Sequence, residues 1–244
     1  MGIQPIRFAP AGERPARELL QRFEALRGPL SRQDADVEAP AQELLRHLRT
    51  FEALDRQYGA AGPLPVEDAG ELVAAALTQL AHLEVAARRD PPTGRGLAEL
   101  TLGVALWAIA HGVPLDPVEP VANALAIRSN AAASREELAA VFGLMQGVIA
   151  HISPRLAPDL ERSNPERPWR ILHANLAITS IRTEDPALMA FAFDALDAAL
   201  PVERGAFYGE ALALALAPGV APAVREALEA RHRKWTPGSK TEDN

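Results

Sequence analysis

Two helical segments of the chain carry polar side chains at a spacing that places them on one helix face. In the first segment, Asn123, Ile127 and Asn130 lie at i, i+4 and i+7, and Arg128 lies beside them. Asn has a low helix propensity, so its repeated use inside a predicted helix indicates a role other than helix formation. On an accessible face, Asn amides can donate to and accept from an extended peptide backbone, and an Arg can pair with a carboxylate.

The second segment repeats this spacing. Asn175, Thr179 and Arg182 also lie at i, i+4 and i+7, and His173 lies just before them. Both sets together predict a binding face for a protein or peptide. The alternative interpretation is that these side chains form hydrogen bonds between helices or are simply solvated.

Motifs for catalysis, cofactors or metals are missing from the sequence. It has no GxSxG, GxxxxGK[ST], HExxH or GxGxxG, and no cysteine for a thiolate site or a nucleophile. The six histidines are scattered singly: His47, His82, His111, His151, His173 and His232. Glu229 and His232 form one Glu-x-x-His pair, but a di-iron bundle needs a second pair. We therefore expect no cofactor and no metal, and His111, His173 and Tyr208 are the remaining acid–base candidates.

The charge balance bears on the class of partner and on localisation. The formal net charge is −7, which disfavours sequence-independent binding to nucleic acids. The only lysines are Lys234 and Lys240, so nearly all basic residues are Arg. We interpret this excess as codon usage in a GC-rich genome, and the alternative is recognition of phosphate or carboxylate groups. The longest apolar run, 100–110, contains Thr101 and is too short to span a membrane. With no cysteine and no signal-like N-terminus, the sequence predicts a cytoplasmic protein without membrane insertion.

Proline and glycine punctuate the chain at intervals of about one helix length, because proline is tolerated at a helix start but not inside it. Aromatic residues make up only 5%, so small aliphatic side chains must form the core, which suits packing of helices. The sequence predicts an all-α fold of about ten antiparallel helices and no β-sheet. The predicted helices are 13–27, 40–58, 66–89, 96–111, 117–131, 135–152, 169–183, 186–200, 201–217 and 222–235.

The same pattern suggests how these helices are organised along the chain. Residues 1–62 form a predicted N-terminal arm of two helices, and residues 63–236 form a helical array. We expect a loop at 153–168 and a disordered tail at 237–244. The arm and the array are expected to form one continuous structural unit.

The last helices show an internal similarity between 185–201 and 221–237. The matched pairs, each separated by 36 residues, are Pro186 with Pro222, Pro201 with Pro237, Leu176 with Leu212, and Ala177 with Ala213. This C-terminal third resembles the tetratricopeptide repeat. Ala177 and Phe193 match its small and aromatic positions, whereas His173 and Glu229 stand where large aromatic residues are expected. The resemblance implies helical hairpins stacked into an α–α superhelix with a concave face.

Three functions remain open at this point. The leading interpretation is a non-enzymatic scaffold or adaptor that binds a protein or peptide. The second is a small-molecule or lipid-binding protein with an apolar cavity bordered by Trp107, Phe142 and Met145. The third is an enzyme with a dispersed active site. A homodimer is compatible with each of them.

Overall fold

The computed structural model describes residues 15–32, 35–65, 67–156 and 168–236. Within these ranges the chain forms ten α-helices and no strand, which confirms the all-α prediction. Short 3-10 turns at Ala35–Val37 and Ala87–Arg89 join the α-helices locally. The helices are α1 Pro15–Ser31, α2 Glu38–Tyr58, α3 Ala69–Ala86, α4 Pro91–Ala110, α5 Glu119–Ala131, α6 Arg135–Leu156, α7 Pro168–Thr183, α8 Pro186–Ala199, α9 Arg204–Ala215 and α10 Pro222–Trp235.

Proline begins several of these helices, because its missing N–H would have no intrahelical partner in the first turn. Pro186 is the first residue of α8, and the Asp185 carboxylate accepts hydrogen bonds from two backbone N–H groups of the first turn. Helix α4 begins at Pro91, five residues earlier than predicted. There the Thr93 hydroxyl donates to the Asp90 carboxylate over 2.6 Å, which fixes the first turn.

Several predicted helix ends are wrong by a few residues. Helix α1 continues through Pro29, and α6 continues through Pro154 to Leu156, so the predicted loop begins later than 153. A proline in the last turns of a helix removes only one backbone hydrogen bond, which allows both extensions. Residues 157–167 of the predicted loop and the predicted tail at 237–244 lie outside the described residues.

The chain divides into two compact units, which we describe separately. The first unit comprises the described residues within Met1–Ala131 and Gly147–Pro154. In it, α1 packs on α2 and α4, α2 packs on α3, and α4 packs on α5. Helix α4 is buried on most sides, as its apolar sequence predicts. A Cβ added at Gly96 would lie 2.7 Å from the Leu26 side chain, so glycine permits the close approach of α1 and α4.

The second unit comprises the described residues within Ala132–Gln146 and Arg155–Asn244. Helices α7 and α8 form one antiparallel hairpin, α9 and α10 form another, and α10 also packs on α8. Leu176 and Ala177 are buried, whereas their counterparts Leu212 and Ala213 are half-buried and exposed. The sequence similarity between the two hairpins therefore does not extend to their packing, and a tetratricopeptide-like superhelix is not confirmed.

The sequence predicts that the chain does not insert into a membrane. Among the helices within the described ranges, none combines the length and apolar character that a membrane span requires.

Candidate functional site

An open groove of about 770 Å³ lies on the first unit, between α3, the start of α4 and α5. Asn123, Ile127 and Asn130 line it together, so the structure brings the first predicted set to one accessible wall. All three side chains are exposed. Within the described part of the chain, neither Asn amide forms a hydrogen bond, so both amides are available to a ligand.

The opposite wall comes from α3 and offers both apolar and basic groups. Val85 is 56% exposed and lines the groove, so it offers apolar surface to a ligand. Arg88 lies in the 3-10 turn Ala87–Arg89 that follows α3, and Arg95 lies in the first turns of α4. Both guanidinium groups are exposed and form no ion pair with any described residue. The groove thus combines amides, an apolar surface and unpaired cations.

Glu84 lines the same groove, and analysis of the sequence did not single it out. Burial raises the pKa of its carboxyl to about 7, although a hydrogen bond from the Thr101 hydroxyl, 3.4 Å away, acts in the opposite direction. Glu84 is therefore protonated in a large fraction of molecules near neutral pH and can donate a hydrogen bond. The sequence does carry a signal, because Leu77, Leu80 and Glu84 follow one apolar stripe of α3.

Replacing Glu84 with glutamine is expected to remove a pH dependence of stability. A carboxyl whose pKa rises from 4.5 to about 7 on folding stabilises the fold fully below pH 4.5, and this contribution is lost as pH rises through 7. A shift of this size corresponds to about 3 kcal/mol in the free energy of unfolding. Urea denaturation between pH 5 and about pH 8 should show a steeper decline for the wild type than for Glu84→Gln.

A suitable control for this variant is Glu71→Gln, an exposed residue on the same helix. It should retain the decline of the wild type. Equal pH profiles for the wild type and Glu84→Gln would contradict the elevated pKa.

Arg128, the fourth member of the first set, has a different role. Its guanidinium forms an ion pair with Glu99 of α4, and the two side chains are only 16% and 9% exposed. A buried carboxylate without its partner would be costly, so this pair serves to hold α5 on α4. The structure therefore places Arg128 in helix packing, not on the groove wall.

The second predicted set lies on α7 of the second unit, and its side chains are largely covered. The Thr179 hydroxyl is buried 3.7 Å from the sulfur of Met145. His173 is buried as well, with Nδ1 2.9 Å from the Trp169 carbonyl oxygen, and burial lowers its pKa. Asn175 and Arg182 are half-buried, and Arg182 interacts within the chain. The spacing is the same as on α5, but this face of α7 is used for packing.

Two of the acid–base candidates belong to buried networks. In the first unit, His111 Nδ1 lies 2.8 Å from the Gly62 carbonyl oxygen, and Nε2 lies 3.4 Å from Asp55 Oδ1. The Asp55 carboxylate also accepts hydrogen bonds from Trp107 Nε1, at 2.7 Å, and from the backbone N–H of Ala16, at 3.0 Å. The His111 and Asp55 side chains are fully buried, so this network joins helices and offers no surface for a substrate.

The second network is centred on Asp197 in the second unit. Its carboxylate accepts a hydrogen bond from the Tyr208 hydroxyl at 2.9 Å and pairs with Arg231 at 2.6 Å. Burial, reinforced by the neighbouring carboxylate, raises the pKa of Tyr208 far above its usual value. Tyr208 is fully buried and stays protonated, so its position supports packing of α8, α9 and α10.

The residues suggested for an apolar cavity are in contact with protein atoms. The Trp107 ring stacks on Phe51 with ring centroids 4.3 Å apart. The rings of Phe142 and Phe191 pack edge to face with centroids 6.1 Å apart. Among the described residues, no group of three or more His, Asp and Glu side chains could hold a metal ion. The groove on the first unit is therefore the best candidate for a functional site.

Comparison with known proteins does not assign this groove to a family. No protein-family model matches the chain, and the searches of curated proteins and of solved structures give no significant match.

Proposed function

We propose that the protein is a non-enzymatic binding module whose groove on the first unit holds an extended segment of another protein. The observation that carries this proposal is the wall formed by Asn123, Ile127 and Asn130, with two unengaged amides on either side of an exposed apolar residue. We place this interaction in the cytoplasm, because a chain without cysteine suits a reducing compartment.

The spacing of the two amides suits an extended backbone. Asn123 and Asn130 are seven residues apart, and at 1.5 Å per residue their Cα atoms are separated by about 10 Å along the helix. An extended peptide covers this distance in about three residues, and each residue offers one N–H and one carbonyl group. Asn amides can satisfy both kinds of group, while Ile127 and Val85 contact apolar side chains of the segment.

The shape of the groove favours a peptide over an enclosed small molecule. Sites for small molecules usually bury most of the ligand surface in a concave, mainly apolar pocket. This groove is open to solvent and combines charged, amide and apolar groups along its length. An open groove allows a chain to enter at one end and leave at the other.

The double variant Asn123→Ala/Asn130→Ala tests this proposal. Peptides selected from a random display library on the wild-type protein should bind the variant about tenfold more weakly or worse, because two hydrogen bonds of about 1 kcal/mol each are lost. The measurement is fluorescence polarisation with labelled peptide. Both residues are exposed, so the melting temperature should hardly change.

The matched control is Asn175→Ala, which alters the second predicted set in the same way. It should leave the affinity for the selected peptides unchanged. Undiminished binding by the Asn123→Ala/Asn130→Ala variant would refute the proposed role of the groove.

A further inference from the structure

Two exposed arginines, Arg88 and Arg95, line the groove. Several arginines of the chain pair with a carboxylate, as Arg22, Arg46 and Arg231 do. Arg88, in the 3-10 turn after α3, and Arg95, on α4, instead line one groove and form no ion pair with a described residue. Two exposed cations in one groove offer partners to an anionic group, although the chain as a whole has a net charge of −7.

The acidic residues of the groove do not balance these cations. Glu119 is an exposed carboxylate at the start of α5, where the helix dipole already favours a negative charge. Glu84 is the other acid, and burial of its carboxyl raises its pKa, which favours the neutral form. Arg88 and Arg95 are therefore the strongest fixed charges that line the groove.

We infer that the segment held by the groove is acidic, with Asp or Glu side chains that pair with Arg88 and Arg95. This inference rests on the proposed function and specifies the chemistry of the partner. Arg forms two parallel hydrogen bonds with a carboxylate, so each pair fixes position as well as charge. Opposite charges also accelerate the encounter of the two molecules.

The remaining groove chemistry favours a peptide over a nucleic acid. Single-stranded nucleic acids bind to surfaces that offer aromatic rings for base stacking. Among the described residues that line this groove, His82 carries the only aromatic ring. The exposed apolar side chains of the groove are aliphatic, as in Val85 and Ile127.

Labelled random-sequence peptide pools test the inference. Three pools of about ten residues, long enough to extend past both Asn side chains, carry Asp, Asn or Lys at the same alternate positions. In fluorescence polarisation, the Asp pool should bind the wild type about tenfold more tightly than the Asn pool, and the Lys pool should bind most weakly. Higher salt should reduce this difference.

Variants then assign the preference to the two arginines. Arg88→Gln/Arg95→Gln should lower the affinity for the Asp pool to that for the Asn pool and leave the Asn pool unaffected. The control Arg49→Gln, at an exposed and unpaired arginine on α2, should change neither affinity.

The alternative outcomes separate this inference from the proposed function. If all three pools bound the wild type equally and Asn123→Ala/Asn130→Ala abolished this binding, the partner would not be acidic. The proposed binding of a peptide in the groove would still stand. Tighter binding of a random single-stranded RNA, or displacement of the Asp pool by free succinate, would also overturn it. No binding of any pool would overturn both.

Discussion

Replacing Asp55 with alanine is expected to lower the free energy of unfolding by about 3–5 kcal/mol. The Asp55 carboxylate is the acceptor for two buried donors, Trp107 Nε1 and the Ala16 backbone N–H. These donors belong to α4 and α1, so one side chain of α2 joins three helices of the first unit. Alanine would leave both N–H groups without an acceptor in a region that water does not reach.

Urea denaturation followed by circular dichroism measures this effect, and a fall in melting temperature on the order of 10 °C should accompany it. Trp107→Phe should cost less, because it removes one donor together with its requirement for an acceptor. Glu52→Ala is the matched control, since Glu52 lies on the same helix and, among the described residues, pairs only with Arg56, at 3.1 Å. If Asp55→Ala were as mild as Glu52→Ala, the network would not hold the unit together.

The second large effect is expected for Asp197→Ala in the second unit. This change should cost about 2–4 kcal/mol, because it removes the acceptor of the buried Tyr208 hydroxyl and one partner of Arg231. The same denaturation experiment measures it.

Asp194→Ala provides a close control for Asp197→Ala. Asp194 lies on the same helix and pairs with the same Arg231 at 2.6 Å, but its side chain is 72% exposed. Exposed ion pairs contribute little to stability, so this variant should resemble the wild type. Comparable losses for the two variants would mean that burial of the Asp197 carboxylate is not what makes it important.

The helices could be predicted from the sequence because proline marks their first turns. Pro186 and Pro222 begin α8 and α10 as expected. The same rule failed at Pro201, since α9 begins only at Arg204. Whether a proline-containing turn joins the next helix depends on tertiary packing, which local spacing does not contain.

The candidate site could be predicted only in part. Asn123 and Asn130 lie on an accessible face, but the same spacing on α7 places Thr179 in the interior. Spacing determines which residues share a helix face, whereas the neighbouring helix determines whether that face is covered.

Buried acids follow a pattern that the sequence does show. Asp55 follows Phe51 by four residues, and Asp197 follows Phe193 by four, so each acid extends an apolar stripe. An acid in such a position must find buried donors. Their identity could not be predicted, because Trp107 is 52 residues from Asp55 in the chain.

We propose that the groove between α3 and α5 binds a polypeptide through Asn123 and Asn130. The most direct test is NMR of the Asn side-chain amides during titration with a peptide selected on the wild-type protein. We expect the Asn123 and Asn130 signals, assigned through single alanine variants, to shift while the Asn175 signal stays in place. Shifts confined to the Asn175 signal, with the Asn123 and Asn130 signals unmoved, would show that the peptide does not bind in this groove.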